Sequence, residues 1–233
     1  MAEPSNDDQW REREPVKWQE AFARNNEMFG EAPSAAVVRA SEMFRSRGLT
    51  RILELGAGQG RDTMFLAQMG FDVHVLDYTP EGTRRIAEKA AALGLSDRVT
   101  VVLHDVRNPF PFASETFDAC YSHMLYCMAL TLEELRRLTE NIRTVLHPHG
   151  LNSYTARHTG DPHYGQGVQH GEGLVEVGGF IVHFFDRKTV ESLAEGYRII
   201  DIHEFEEGGL PRRLMQVTLE KSAVDASVGG RNG

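Results

Sequence analysis

Apolar positions between residues 51 and 156 switch repeatedly between a strand period and a helix period. Arg51-Ile52-Leu53-Glu54-Leu55 is a short apolar run that reads as a buried strand. A glycine-rich turn follows, Gly56-Ala57-Gly58-Gln59-Gly60. Helical spacing then places Met64, Phe65, Leu66 and Met69 inward, and Gly70 closes that helix. Residues 72–76 read as a second strand that ends at Asp77. Thr79 and Pro80 suit the N-cap and first position of the next helix, which Gly94 ends. Residues 99–103 and 117–122 give a third and a fourth strand. Thr131-Leu132-Glu133-Glu134 is a capping box for a helix with Leu132, Leu135, Leu138, Ile142 and Val145 on one side. Pro148 and Gly150 turn the chain into a fifth strand over 151–156. Such alternation predicts an α/β fold with a parallel sheet and right-handed crossovers.

The flanks break this rhythm. Residues 1–14 are polar and read as a disordered start, and Trp10 and Trp18 flank its end. A helix is expected over 16–29, with Trp18, Phe22 and Phe29 as contacts. A second, capped by Ser34 and ended by Gly48, carries Val37, Val38 and Phe44 inward. Together, residues 15–48 form an N-terminal helical cap. A glycine- and histidine-rich loop runs from Arg157 to about Gly179. A strand at 180–184, a helix capped by Asp186 and two strands at 197–204 and 212–220 follow. The last pair suits an antiparallel hairpin at the sheet edge. Residues 222–233 read as a disordered tail, leaving one domain over 15–221 with a substrate-side loop at 157–183.

Composition narrows the class. The chain has 233 residues, 41% of them hydrophobic, which suits one packed α/β domain. Twenty-five Lys and Arg against 34 Asp and Glu give a net charge of -9, which argues against a nucleic-acid partner. No run approaches the roughly 18 apolar residues of a membrane span, and no secretory signal opens the chain. The two cysteines, Cys120 and Cys127, form no CxxC pair, so a reducing, cytoplasmic setting is expected.

The glycine turn between strand and helix carries the clearest chemistry. Gly56, Gly58 and Gly60 let backbone approach a ligand, and the following helix N-terminus favours an anion. Asp77, about twenty residues on, is placed to hold ribose hydroxyls. A dinucleotide fingerprint would put a third glycine where Arg61 stands, which counts against a nicotinamide oxidoreductase.

Glu54-Leu55-Gly56-Ala57-Gly58-Gln59-Gly60 resembles the first motif of class I S-adenosylmethionine-dependent methyltransferases. His104-Asp105-Val106 is similar to their adenine-binding segment, Phe117-Asp118-Ala119 to the start of their fourth strand. Leu146-His147-Pro148-His149-Gly150 resembles their Leu-x-Pro-Gly-Gly turn, with His149 replacing a glycine. The resemblance covers about residues 50–156. It implies a Rossmann-like fold with a seven-stranded, mostly parallel sheet and an antiparallel C-terminal hairpin. It also implies S-adenosylmethionine as cofactor and S-adenosylhomocysteine as product. Glu54, Gly56, Gly58, Gly60, Arg61, Asp77, Tyr78, Asp105, Val106 and Ser122 are then the cofactor-side residues. Gly60-Arg61-Asp62-Thr63, with Phe65-Leu66-Ala67 and Gly70-Phe71-Asp72-Val73, resembles the tellurite-resistance and thiopurine methyltransferases. That likeness implies a small thiol or other chalcogen acceptor, with Arg61 near the methionine carboxylate.

The acceptor side is expected where loops cover the strand ends. His123, Tyr126 and His158 are the candidate catalytic groups, histidine being the natural base near neutral pH. Trp18, Phe22, His123, Tyr126, Arg157, His163, Tyr164 and His170 are the candidate substrate contacts. Arg157 suits a bidentate contact with an acidic acceptor. His158, His163, His170 and His183 show neither His-x-His nor His-x-x-x-His spacing, so no metal site is assigned. Methyl transfer needs alignment and exclusion of water more than a strong base. Alternatives are an O- or N-methyltransferase of a small natural product and a non-catalytic cofactor-binding module. The oligomeric state stays open.

Overall fold

The computed structural model describes residues 9–25, 28–208 and 212–223, with side chains from residue 13 onward. Two helices lead, α1 (Gln9–Arg24) and α2 (Ala35–Ser46). The alternating core follows as β1 (Arg51–Leu55), α3 (Arg61–Gln68), β2 (Asp72–Asp77), α4 (Pro80–Ala92), β3 (Val99–Leu103), β4 (Phe117–Ser122), α5 (Leu132–Val145) and β5 (Leu146–His158). The chain closes with β6 (Val168–Gly171), β7 (Leu174–Val177), β8 (Phe180–Phe185), α6 (Arg187–Leu193), β9 (Tyr197–Glu207) and β10 (Arg212–Lys221).

Strands β3-β2-β1-β4-β5 lie side by side in that order and pair in parallel. β10 adds antiparallel to β5, and β9 antiparallel to β10. This is the expected Rossmann-like α/β fold, with seven strands in the main sheet and the expected edge hairpin. Two reversals make β9 run parallel to β1 through β5, so its last residue, Glu207, reaches the same carboxyl edge. Successive side chains in β1 face opposite sides of the sheet. Ile52 packs with Val37, Phe44 and Ala67, whereas Leu53 packs in the cluster that holds Leu138, Ile142 and Tyr154.

Local signals account for most element ends. Ser34 caps α2 by accepting from Val37 N, and Thr131 with Glu134 forms the full capping box of α5. Asp186 accepts from Thr189 N at the start of α6. His149 has φ +64 in the turn where a glycine is usual.

Several expectations change. The first helix is α1 at Gln9–Arg24, not 16–29, with Pro15 inside it. It begins within the segment read as disordered; residues 1–8 and 224–233 lie outside the described residues. Val38 and Met69 are more than a third exposed and do not face the core. The loop expected over 157–179 contains β6 and β7, which with β8 make a three-stranded antiparallel insert. Its turns are Glu172-Gly173 and Gly178-Gly179, all four with positive φ. Two-residue turns of this kind match the twist of hairpin strands. The insert joins the sheet where Arg157 and His158 pair with Phe184 and Phe185.

Candidate functional site

The turn after β1 holds Gly56, Gly58 and Gly60 at φ +65, +57 and +81, a region other residues enter at a cost. Asp77, at the end of β2, faces this turn. Its Oδ2 accepts from Gly58 N at 2.9 Å, and its Oδ1 accepts from Thr79 N at 2.8 Å and Thr79 Oγ1 at 2.5 Å. Burial raises the Asp77 carboxyl, against the pull of those hydrogen bonds. Gly82 lets α4 come close: a Cβ there would lie 2.5 Å from Gly58 O.

A second buried carboxylate ties the helical cap to the sheet. Asp62 accepts from Ser34 N at 2.8 Å, Ser34 Oγ at 2.7 Å and Tyr121 OH at 3.0 Å. Beside it, Glu54 accepts from Thr63 Oγ1 at 2.6 Å and is 2% exposed. Burial, then the nearby Asp62, push the Glu54 carboxyl up to about 8, against the Thr63 bond.

At the end of β3, Arg107 grips Asp105, with Nη2 at 2.5 Å from Oδ2 and Nε at 3.0 Å from Oδ1. Burial would raise the Asp105 carboxyl, but the Arg107 bonds hold it below its ordinary value. Val106 is buried beside it. Tyr78 is half-buried, and burial followed by Asp77 raises its phenol.

Helix α1 roofs the turn. A Cβ on Gly58 would meet Phe22 Cζ at 3.3 Å, and Phe22 packs on Trp18 and Phe29 with ring centroids 5.7 and 6.3 Å apart. Trp18 also packs at 5.0 Å on Phe180 of β8, and Lys17 Nζ donates to Gly179 O. Phe22 and Trp18, the candidate substrate contacts of the N-terminal helix, thus lie between the glycine turn and β8.

Arg61 opens α3. It donates to Phe29 O at 3.0 Å and to Glu207 Oε1 at 2.9 Å. The other Glu207 oxygen lies 3.1 Å from His123 Nε2. The two atoms are within ion-pair distance, yet neither buried atom makes a hydrogen bond of good geometry. His123 Nδ1 lies 3.1 Å from Thr155 Oγ1, which also accepts from Met124 N at 2.7 Å. Met124 has φ +62, a strained backbone that turns the chain just past β4. Burial would raise the Glu207 carboxyl, but His123 and Arg61 hold it at about 2. Sequence reasoning missed Glu207 and Thr155, which sit in no motif. Strand polarity alone could have placed Glu207 at this edge.

Other expected acceptor residues lie elsewhere. Tyr126 is fully buried, stacked on Tyr154 at 3.8 Å, and its OH accepts from Asn152 Nδ2 at 3.0 Å. It is a core residue, not an acceptor contact. Ser122 is also fully buried, at the end of β4, and its Oγ has no partner. Arg157 is committed internally: Nε and Nη2 bind Asp161 at 3.0 and 2.5 Å, and Nη2 lies 2.7 Å from His163 Nδ1. The bidentate contact with an acidic acceptor is therefore replaced by one with Asp161. His158 Nδ1 accepts from Gly160 N at 3.0 Å, and Tyr164 is 49% exposed beside Phe184. His170 lies 3.4 Å from Glu176 within the insert. His183 is buried with Nδ1 2.9 Å from Leu130 O. Among the described residues no group of three His, Cys, Asp or Glu is placed to hold a metal.

A contact chain therefore runs from Asp77 through Gly58, Phe22, Phe29, Arg61 and Glu207 to His123. The residues fit a nucleoside cofactor with an anionic end. Asp77 keeps a free lone pair on Oδ2 for a sugar hydroxyl, and the buried Ser122 Oγ awaits a partner. The carboxyl edge of this sheet is where such a fold takes its ligand.

Residues 52–150 match the methyltransferase-domain family. Over those residues, from β1 into β5, the chain is similar to methyltransferase domains. No curated protein sequence matches. Among solved structures, 1,6-didemethyltoxoflavin-N1-methyltransferase of Burkholderia thailandensis, with 1,6-didemethyltoxoflavin and S-adenosylhomocysteine bound, is 17% identical with a TM-score of 0.72, covering 96% of this chain and 93% of its own. The N-methyltransferase NodS of Bradyrhizobium japonicum is 14% identical, TM-score 0.67, over 89% of this chain and 98% of its own. TehB of Haemophilus influenzae is 17% identical, TM-score 0.64, over 88% and 67%. At these identities the likeness establishes the fold.

Proposed function

We propose that this chain transfers the methyl group of S-adenosylmethionine to a small-molecule nucleophile, a thiol or other chalcogen. The observation that carries the cofactor part is Asp77, turned onto Gly58 N between the glycine turn and α4. When bound, the cofactor supplies a methyl group on a sulfonium, ready for in-line displacement. Asp77 holds the sugar hydroxyls, Val106 walls the base, and Arg61 takes the carboxylate end. Phe22 and Trp18 exclude water.

The histidines favour an acceptor that arrives already ionised. His158 Nδ1 and His163 Nδ1 are held by Gly160 N and Arg157, and both nitrogens of His123 lie against Thr155 and Glu207. A thiol is partly thiolate near neutral pH and needs no strong base, whereas an alcohol does. A second reading is N-methylation of a heterocycle. It is favoured by the near-complete overlap with the didemethyltoxoflavin N1-methyltransferase.

Calorimetric titration with S-adenosylmethionine tests the cofactor, with Asp77→Ala as control. Micromolar binding, lost in the variant, is expected. Methyl transfer from labelled cofactor to panels of thiols, phenols and heterocyclic amines then ranks the acceptors. Binding unchanged in Asp77→Ala, or turnover confined to phenols or amines, would refute the respective part.

A further inference from the structure

Glu207 stands 146 residues from Arg61 in sequence, yet it divides its two oxygens between the two halves of the site. Oε1 takes Arg61 Nη2 at 2.9 Å on the cofactor side. Oε2 approaches His123 Nε2 at 3.1 Å on the acceptor side without an aligned hydrogen bond, and both atoms are buried. Buried polar atoms seldom stay unsatisfied, and a buried charged acceptor is costlier still. The neighbouring contacts account for this geometry. Oε1 is pinned by a guanidinium that Phe29 fixes twice, through its carbonyl at 3.0 Å and through its ring, whose centroid lies 6.0 Å from Arg61 Cζ. The carboxylate is therefore not free to turn and face His123.

We propose that Glu207 is a positioning residue that couples the two half-sites: an anionic cofactor end that takes Arg61 releases Glu207 to close an aligned hydrogen bond to His123. This rests on the S-adenosylmethionine reading above. Two carboxylates then compete for one guanidinium, so Glu207 weakens cofactor binding by the fraction of time it holds Arg61. Thr155 fixes the far side of the imidazole, so aligning Nε2 settles the ring as a whole. No covalent bond changes; one hydrogen-bond acceptor changes partner. The acceptor side is completed after the cofactor is in place, which orders assembly as cofactor first.

The test is calorimetric titration of the full chain and of Glu207→Gln with S-adenosylhomocysteine, together with ring-nitrogen NMR of His123. The His123 signals are identified by their loss in His123→Gln. Glu207→Gln keeps the size and removes the charge, and it is expected to bind S-adenosylhomocysteine about three- to tenfold more tightly. The His123 signals are expected to shift on ligand addition in the native chain and to stay still in Glu207→Gln. Glu207→Ala gives the same tightening and serves if the glutamine variant melts early. Equal or weaker binding in both variants overturns the proposal, as do His123 signals that ignore the ligand in the native chain. A native chain that binds no S-adenosylhomocysteine overturns the cofactor reading and this proposal with it. Binding that the variants leave unchanged overturns this proposal alone.

Discussion

Replacing Glu54 with glutamine isolates one buried proton. In the folded chain the Glu54 carboxyl is held at about 8, against 4.5 for an ordinary glutamate. Between those values the folded chain keeps a proton that the unfolded chain has lost. Stability from this group is therefore fully present below about pH 4.5 and is lost as pH rises toward 8. At 1.36 kcal/mol per pH unit, raising the pH from 5 to 8 costs the native chain about 2–4 kcal/mol that Glu54→Gln does not lose. The amide is isosteric and keeps an oxygen for Thr63 Oγ1, so packing is preserved. Urea unfolding of both proteins at pH 5, 6.5 and 8, followed by tryptophan fluorescence, gives the difference directly, since titrations elsewhere cancel. Native stability relative to Glu54→Gln should fall steadily across the series. Parallel stability profiles would show that Glu54 is ionised in the fold, and the electrostatic account of the three carboxylates beneath the glycine turn would be wrong.

Further substitutions probe separate features. Gly58→Ala forces a side chain into φ +57 and 3.3 Å from Phe22, so cofactor affinity measured by calorimetry should drop at least about tenfold. Tyr126→Phe should leave methyl transfer intact and cost about 1 kcal/mol in unfolding, since its hydroxyl serves Asn152 in the core; abolished turnover would restore it to the site. Asp161→Asn leaves buried Arg157 without its counter-charge, and denaturant titration should show a loss of about 3 kcal/mol. His149→Gly relieves a left-handed histidine and should raise stability by about 0.5–1 kcal/mol in thermal unfolding.

The core sheet was legible because its signals are local. A strand buried on both faces reads as an apolar run, and Ser34, Thr131 and Asp186 mark helix starts within a few residues of what they cap. The meeting of the glycine turn with Asp77 was legible for the same reason, since they sit at fixed spacing on adjacent strands. The insert was hidden by its composition: six glycines between residues 165 and 179 read as loop, although Gly178-Gly179 between apolar runs is a hairpin signal. The acceptor side failed where partners come from far along the chain. Nothing near Arg157 announces that Asp161 neutralises it, and nothing near His123 announces Glu207. Tyr126 was misplaced because a tyrosine just past a strand end reads equally as site or as core. Its stacking on Tyr154 decides for core.

Helix α1 touches two distant parts of the fold through neighbouring side chains. Phe22 rests on Gly58 in the glycine turn, and Lys17 and Trp18 hold Gly179 and Phe180 of the three-stranded insert. One helix thus staples the turn after β1 to a segment more than a hundred residues further along the chain, and it cannot lift from one without loosening its hold on the other.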